Sequence, residues 1–154
     1  MVLAQERYEA LMERALQLAA DAAAMDEVPV GALVADSNGN IIAEAHNLRE
    51  SAHNPIAHAE VLAIERASAK LGAWRLTGHH VIVTLEPCLM CSGAMILSRV
   101  DSCIFGAFDK KAGALSSLYE IHRDSRLNHN FEAIGGVFEE KCRQLLVDFF
   151  KQKR

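Results

Sequence analysis

Short, almost wholly apolar runs alternating with amphipathic stretches are what most restrict the fold of this chain. Val30 to Ala35, Ile41 to Ala45, His80 to Leu85 and Ser102 to Gly106 read as strands, with a further strand near Phe131 to Val137. Tyr8, Leu11, Met12, Ala15, Leu16, Ala19, Ala22 and Ala23 recur at helical spacing, which predicts a helix over about residues 5–25, ended by Val28-Pro29. Three more helices are expected. One is the Ala-, Leu- and Glu-rich stretch that follows Asn54-Pro55 and reaches Leu71, with Gly72 closing it; another is short, from Pro87 to Leu97. The last is marked by Phe138, Cys142, Leu145, Leu146, Phe149 and Phe150, with at least one of those two phenylalanines in the core. Strands this apolar have no face to give to solvent, so they suit a sheet covered on both sides. Asp36-Ser37-Asn38-Gly39-Asn40 predicts a hairpin at the entry, and the strand–helix alternation after it predicts a mostly parallel sheet.

Composition narrows the function classes. The 154 residues, 51% apolar and 23% charged, suit a single folded domain over residues 1–154 and exclude a disordered chain. A net charge of −4 provides no general attraction for polyanions, so a nucleic-acid partner would need a local basic patch. Lys110, Lys111, Arg123, Arg126, Lys151, Lys153 and Arg154 could form one. No basic start followed by an apolar run is present, and no stretch is apolar enough to span a bilayer, so the expected setting is the cytoplasm with no membrane partner. Four cysteines are too few for a disulfide scaffold.

Two of those cysteines cluster in Glu86-Pro87-Cys88-Leu89-Met90-Cys91, and a second informative segment is Ala57-His58-Ala59-Glu60. Each falls where a strand or loop runs into a helix. Pro87 suits a first helical turn, which would hold Cys88 and put Cys91 on the same face, beside N–H groups that favour thiolate over thiol. Cys-x-x-Cys alone is open to zinc, redox or core readings. His58 at a neighbouring helix start supplies a third ligand, and one His with two Cys is the pattern of a catalytic zinc site with one open position. Glu60 is then free to exchange protons with water in that position. The alternative is a closed structural site drawing on Cys103, Cys142, His53 or another His, with Glu60 a mere surface carboxylate; the presence of only one short-spaced Cys pair argues against it. Met90 reads as packing.

His58-x-Glu60 followed by Pro87-Cys88-x-x-Cys91 resembles the signature of zinc-dependent nucleobase deaminases. Over nearly its whole length the chain is similar to the bacterial TadA-type tRNA adenosine deaminases. Further carriers are Glu27 to Ala32, Asn47, Thr84 to Met95, Phe105 to Ala114, Asn128-His129 and Asp148-Phe149-Phe150. The resemblance implies a three-layer α/β/α cytidine-deaminase-like fold around a mixed, mostly parallel five-stranded sheet. It also implies a homodimer that binds a tRNA anticodon loop across both subunits and converts the wobble adenosine to inosine, releasing ammonia. Zinc(II), one per subunit, would be held by His58, Cys88 and Cys91 and present hydroxide to C6 of adenine, with Glu60 as the proton carrier. Asn47, Asp109, Lys111 and Phe149 would contact substrate, although an Asn at position 47 can equally serve the turn after a strand. The runner-up is a zinc deaminase of a free base or nucleoside, guanine or cytosine type. Asn54-Pro55-Ile56, Phe108 and Ser116 depart from the common family pattern and bear on RNA contacts.

Overall fold

The computed structural model describes residues 3–153. Its elements follow in the order α1 (Gln5–Ala24), β1 (Gly31–Asp36), β2 (Ile41–His46), α2 (Ala59–Leu71), β3 (His79–Leu85), α3 (Leu89–Ser98), β4 (Ser102–Ala107), a 3-10 turn (Ile121–Arg123), β5 (Glu132–Ile134) and α4 (Glu139–Gln152). The five strands form an open sheet in the order β2-β1-β3-β4-β5. β1 is antiparallel to both neighbours, whereas β3, β4 and β5 pair in parallel, so β1 alone runs against the other four. The β1–β2 hairpin turns on Gly39 at φ +84°, with the Asp36 carboxylate accepting the N–H groups of Asn38 and Asn40. No helix among the described residues is long and apolar enough to cross a membrane.

Side-chain alternation explains the two covering layers, because a pleated strand sends successive residues to opposite faces. Val34, Val81, Val83, Cys103 and Phe105 pack with Ala59, Ala63, Ile64, Ala67, Met95 and Ile96, which places α2 and α3 on one side. Leu33, Ala35, Ile82 and Ile104 pack instead with Leu11, Met12, Ala15, Leu16 and Cys142, which places α1 and α4 on the other. Ala15, Ala19, Ala63 and Ala67 at these seams are wholly buried and keep the helices close to the sheet.

Three expectations are revised. Pro87 does not open α3: Cys88 is its extended N-cap (ψ 178°), and the Pro87 carbonyl accepts the Ala114 N–H at 2.9 Å, so Pro87 belongs to the strand exit. β5 stops at Ile134, because Gly135 and Gly136 follow and Gly136 takes φ +85°. Neither Phe149 nor Phe150 is core. α4 buries only Cys142, leaving Phe149 half-buried and Phe150 48% exposed, because the helix lies at the margin of the α1 layer.

Candidate active site

β2 and β3 point the same way, so the loop after β2 and the exit of β3 emerge at one edge of the sheet. α2 and α3 both begin there. His58 is the N-cap of α2 and Cys88 the N-cap of α3, both extended and neither bonding its helix through its side chain. These side chains are therefore free to meet. His58 Nδ1 lies 3.6 Å from Cys88 Sγ and 3.5 Å from Cys91 Sγ. All three donor atoms lie within 4.8 Å of one another and could hold a metal ion. A tetrahedral zinc with bonds of about 2.3 Å to sulfur and 2.0–2.1 Å to nitrogen spaces those atoms about 3.5 Å apart. The residues thus fit zinc in spacing and in donor type. Among the described residues His53, Cys103 and Cys142 take no part in the group. Cys103 and Cys142 are buried in the core layers on opposite faces of the sheet, which leaves the closed four-ligand alternative without its fourth donor.

Electrostatics within the group favour the thiolate form of Cys88, the form that binds metal. The hydrogen bond from Cys91, then that of His58, holds the Cys88 thiol at about 4 despite desolvation, while Cys91 is pushed well up by donating to Cys88 and by burial. The Cys88 contact raises His58 against desolvation, helped by the Glu60 charge. Two helix N-termini add positive potential at the same point.

His58 and Cys88 border a cavity of about 290 Å³, whose walls include Val28, Val30, Asn47, Arg49, Glu60 and Asp109. That is close to the lower end of the roughly 300–1,000 Å³ usual for small-molecule pockets. Glu60, the second residue of α2, is 4% exposed, and burial pushes its carboxyl up to about 7 although its own backbone N–H and His58 pull it down. A carboxyl poised there can both take and give a proton at neutral pH.

The proposed substrate contacts divide. Asn47 and Asp109 line the cavity, each with a side-chain oxygen already engaged. Asn47 Oδ1 accepts the Arg49 N–H at 3.0 Å, and Asp109 Oδ1 accepts those of Lys111 and Ala112 at 3.0 and 3.2 Å. Lys111 is exposed beside the mouth. Phe149 lines a separate cleft with Ala23, Asp26 and Lys153, away from the three donors. Among the basic residues, Arg123, Arg126 and Lys153 pair with Glu120, Asp124 and Asp26, and Arg154 lies outside the described residues. Asn54 turns its loop by accepting the Ile56 N–H, and Phe108 packs edge-on to Phe105.

Sequence reasoning gave Glu27, Arg49 and Glu86 no role, yet all three line the cavity. Glu27 is fully buried and accepts the N–H groups of Glu50 and Ser51 and the Ser51 hydroxyl. Those bonds hold its carboxyl below the usual 4.5 despite desolvation, and they tie down the loop that leads to His58. An acid abutting an apolar run, as in Leu85-Glu86 or Glu27-Val28, is the signal that could have revealed both.

Comparison with known proteins agrees with this geometry. Residues 5–107 match the cytidine and deoxycytidylate deaminase zinc-binding region. A tRNA-specific adenosine deaminase of Bacillus subtilis is 48% identical over 146 residues, 95% of this chain and 90% of the relative. A solved structure from work on A-to-I editing by tRNA:A34 deaminases is 36% identical with TM-score 0.84, covering 88% of this chain and 97% of that one. The guanine deaminase of Nitrosomonas europaea is 26% identical with TM-score 0.78, covering 97% and 86%. The chain belongs to the cytidine and deoxycytidylate deaminase zinc-binding family.

Proposed function

We propose that residues 1–154 act as one zinc-dependent deaminase domain that hydrolyses the wobble adenosine of tRNA, position 34, to inosine with release of ammonia. His58, Cys88 and Cys91 are the ligands. Zinc supplies the Lewis acidity that makes water nucleophilic at neutral pH. Glu60 takes a proton from the attacking water and delivers it to the ring nitrogen; the remaining proton of that water, now a C6 hydroxyl, passes through the same carboxylate to the amine as the C6–N bond breaks and the C6 carbonyl forms. One observation carries this reading: a buried carboxyl held near 7 faces the same cavity as a His–Cys–Cys donor set.

Asn47 and Asp109 then border the base, with Lys111 and Phe149 reaching flanking parts of the anticodon loop from outside the cavity. The identity to the tRNA-specific relative supports the choice of substrate. A homodimer is supported by α3, Leu-Met-Cys-Ser-Gly-Ala-Met-Ile-Leu-Ser, which has no charged residue yet leaves Leu89 50% and Leu97 69% exposed with open space at Gly93. The cytoplasm is the compartment consistent with a tRNA substrate.

Incubating the purified zinc protein with tRNA bearing adenosine at position 34, beside free guanine, cytosine and adenosine, tests the proposal. Inosine in tRNA without free-base turnover is the expected result. Turnover of a free base without inosine in tRNA would assign the protein to the second reading, for which the likeness to a guanine deaminase is the supporting observation.

A further inference from the structure

Residues 108–120 contain no helix or regular strand, yet Asp109 and Ala112 form part of the cavity wall. One carboxylate holds them. Glu86 follows β3 and is 2% exposed; its Oε1 accepts the Asp109 N–H at 3.0 Å and the Ser117 hydroxyl at 2.5 Å. Its Oε2 accepts the N–H groups of Leu115 at 3.2 Å and Ser117 at 2.9 Å. Four donors thus meet the roughly four lone-pair sites of an ionised carboxylate. Gly113 lets the loop close over it, because a Cβ there would stand 2.2–2.4 Å from the Glu86 carboxylate. The adjoining backbone belongs to the same unit: the Glu86 N–H donates to the Ala107 carbonyl, and the Pro87 carbonyl accepts from Ala114. Cys88 comes next.

We propose that Glu86 is a positioning residue, which locks the 109–117 loop to the turn carrying Cys88 so that Asp109 and Ala112 stand at a set distance from His58 and Glu60. With its lone pairs taken by the loop, it acts on substrate only through that wall. The proposal rests on the deaminase reading above and adds to it the residue that fixes the pocket width on which base recognition depends.

Glu86→Gln is the first test. An amide in place of Oε1 faces the Asp109 N–H donor to donor, while the Ser117 hydroxyl can reverse and accept; in place of Oε2 it would oppose two N–H groups. The loop should therefore loosen first at Asp109. Amide exchange over 109–117 is expected to rise about tenfold or more, the loss of one buried hydrogen bond. Zinc content should stay at the wild-type level. KM should rise about tenfold while kcat falls less than about threefold, because a displaced wall weakens substrate binding more than it alters the proton carrier.

Gly113→Ala should act in the same direction, and Ser117→Ala should do so more weakly; these two carry the test should Glu86→Gln fail to fold. Unchanged exchange and unchanged KM in the folded variants would overturn the proposal. So would zinc falling in step with kcat at constant KM, since Glu86 would then serve only the metal-binding turn. If the wild-type protein deaminates a free base and not tRNA, the substrate assignment fails separately: exchange, zinc content and KM for that base still decide the role of Glu86.

Discussion

Glu60 and Glu86 line one cavity, are 4% and 2% exposed, and yet have pKa values displaced in opposite directions. Desolvation raises both. At Glu60 it wins, and the carboxyl stands at about 7; at Glu86 the hydrogen bonds of Ser117, Asp109 and Leu115 outweigh it and hold the group below 4.5. Burial alone therefore assigns neither charge nor role. The number of donors aimed at the carboxylate does. A well-supplied carboxylate builds walls, whereas a poorly supplied one retains a proton it can exchange.

The largest effect expected from this contrast is on turnover. Glu60→Gln should lower kcat by about 10²–10⁴-fold, the usual contribution of a general acid–base group, with zinc content unchanged by elemental analysis. Zinc lost along with activity would make Glu60 a ligand and end the comparison. Cys88→Ser should instead lower zinc and activity together, and an active, metal-free variant would remove the site.

Stability should then separate the two glutamates by sign. Glu86→Gln leaves a buried N–H facing an amide and should cost about 1–3 kcal/mol in denaturant unfolding of the chelated protein. Glu60→Gln removes a group whose raised pKa opposes folding increasingly as pH climbs from 4.5 towards 7. It should therefore stabilise the chelated protein at pH 8, by up to about 3 kcal/mol, and have no effect at pH 4. Equal signs at pH 8 would break the comparison.

The smallest effect lies in acid. Glu27 and Glu86 have lowered pKa values, so their stabilisation is complete above 4.5 and is lost as pH falls below it. Thermal unfolding scanned from pH 5 to 3 should show a shallower fall in Tm for Glu86→Gln than for the wild-type protein. Parallel slopes would mean that the carboxylate and its four donors contribute no charge-dependent stability.

Much of the fold was legible because the deciding signals are local. The apolar runs at Val30, His80 and Ser102, the Asn38-Gly39 turn and the helix stop at Gly72 each act within a few residues. His58, Cys88 and Cys91 were legible for the same reason, each standing at or within three residues of a helix start. Legibility failed where long-range contacts decide. The reversed pairing of β1 with β3, the end of β5 after Ile134 and the exposure of Phe150 depend on which surfaces meet, and spacing in the chain does not encode that.

The amino-acid sequence by itself determined the donor set, the carboxylate two residues beyond His58, and a sheet apolar on both faces, since residue identity and short spacing carry that chemistry. Only the tertiary structure decided which buried glutamate keeps a proton and which one clamps a loop. The donors that choose between them, Ser117 and Leu115 for Glu86 and Ser51 for Glu27, arrive from 31, 29 and 24 residues away, and a carboxylate's charge follows the groups folding brings to it.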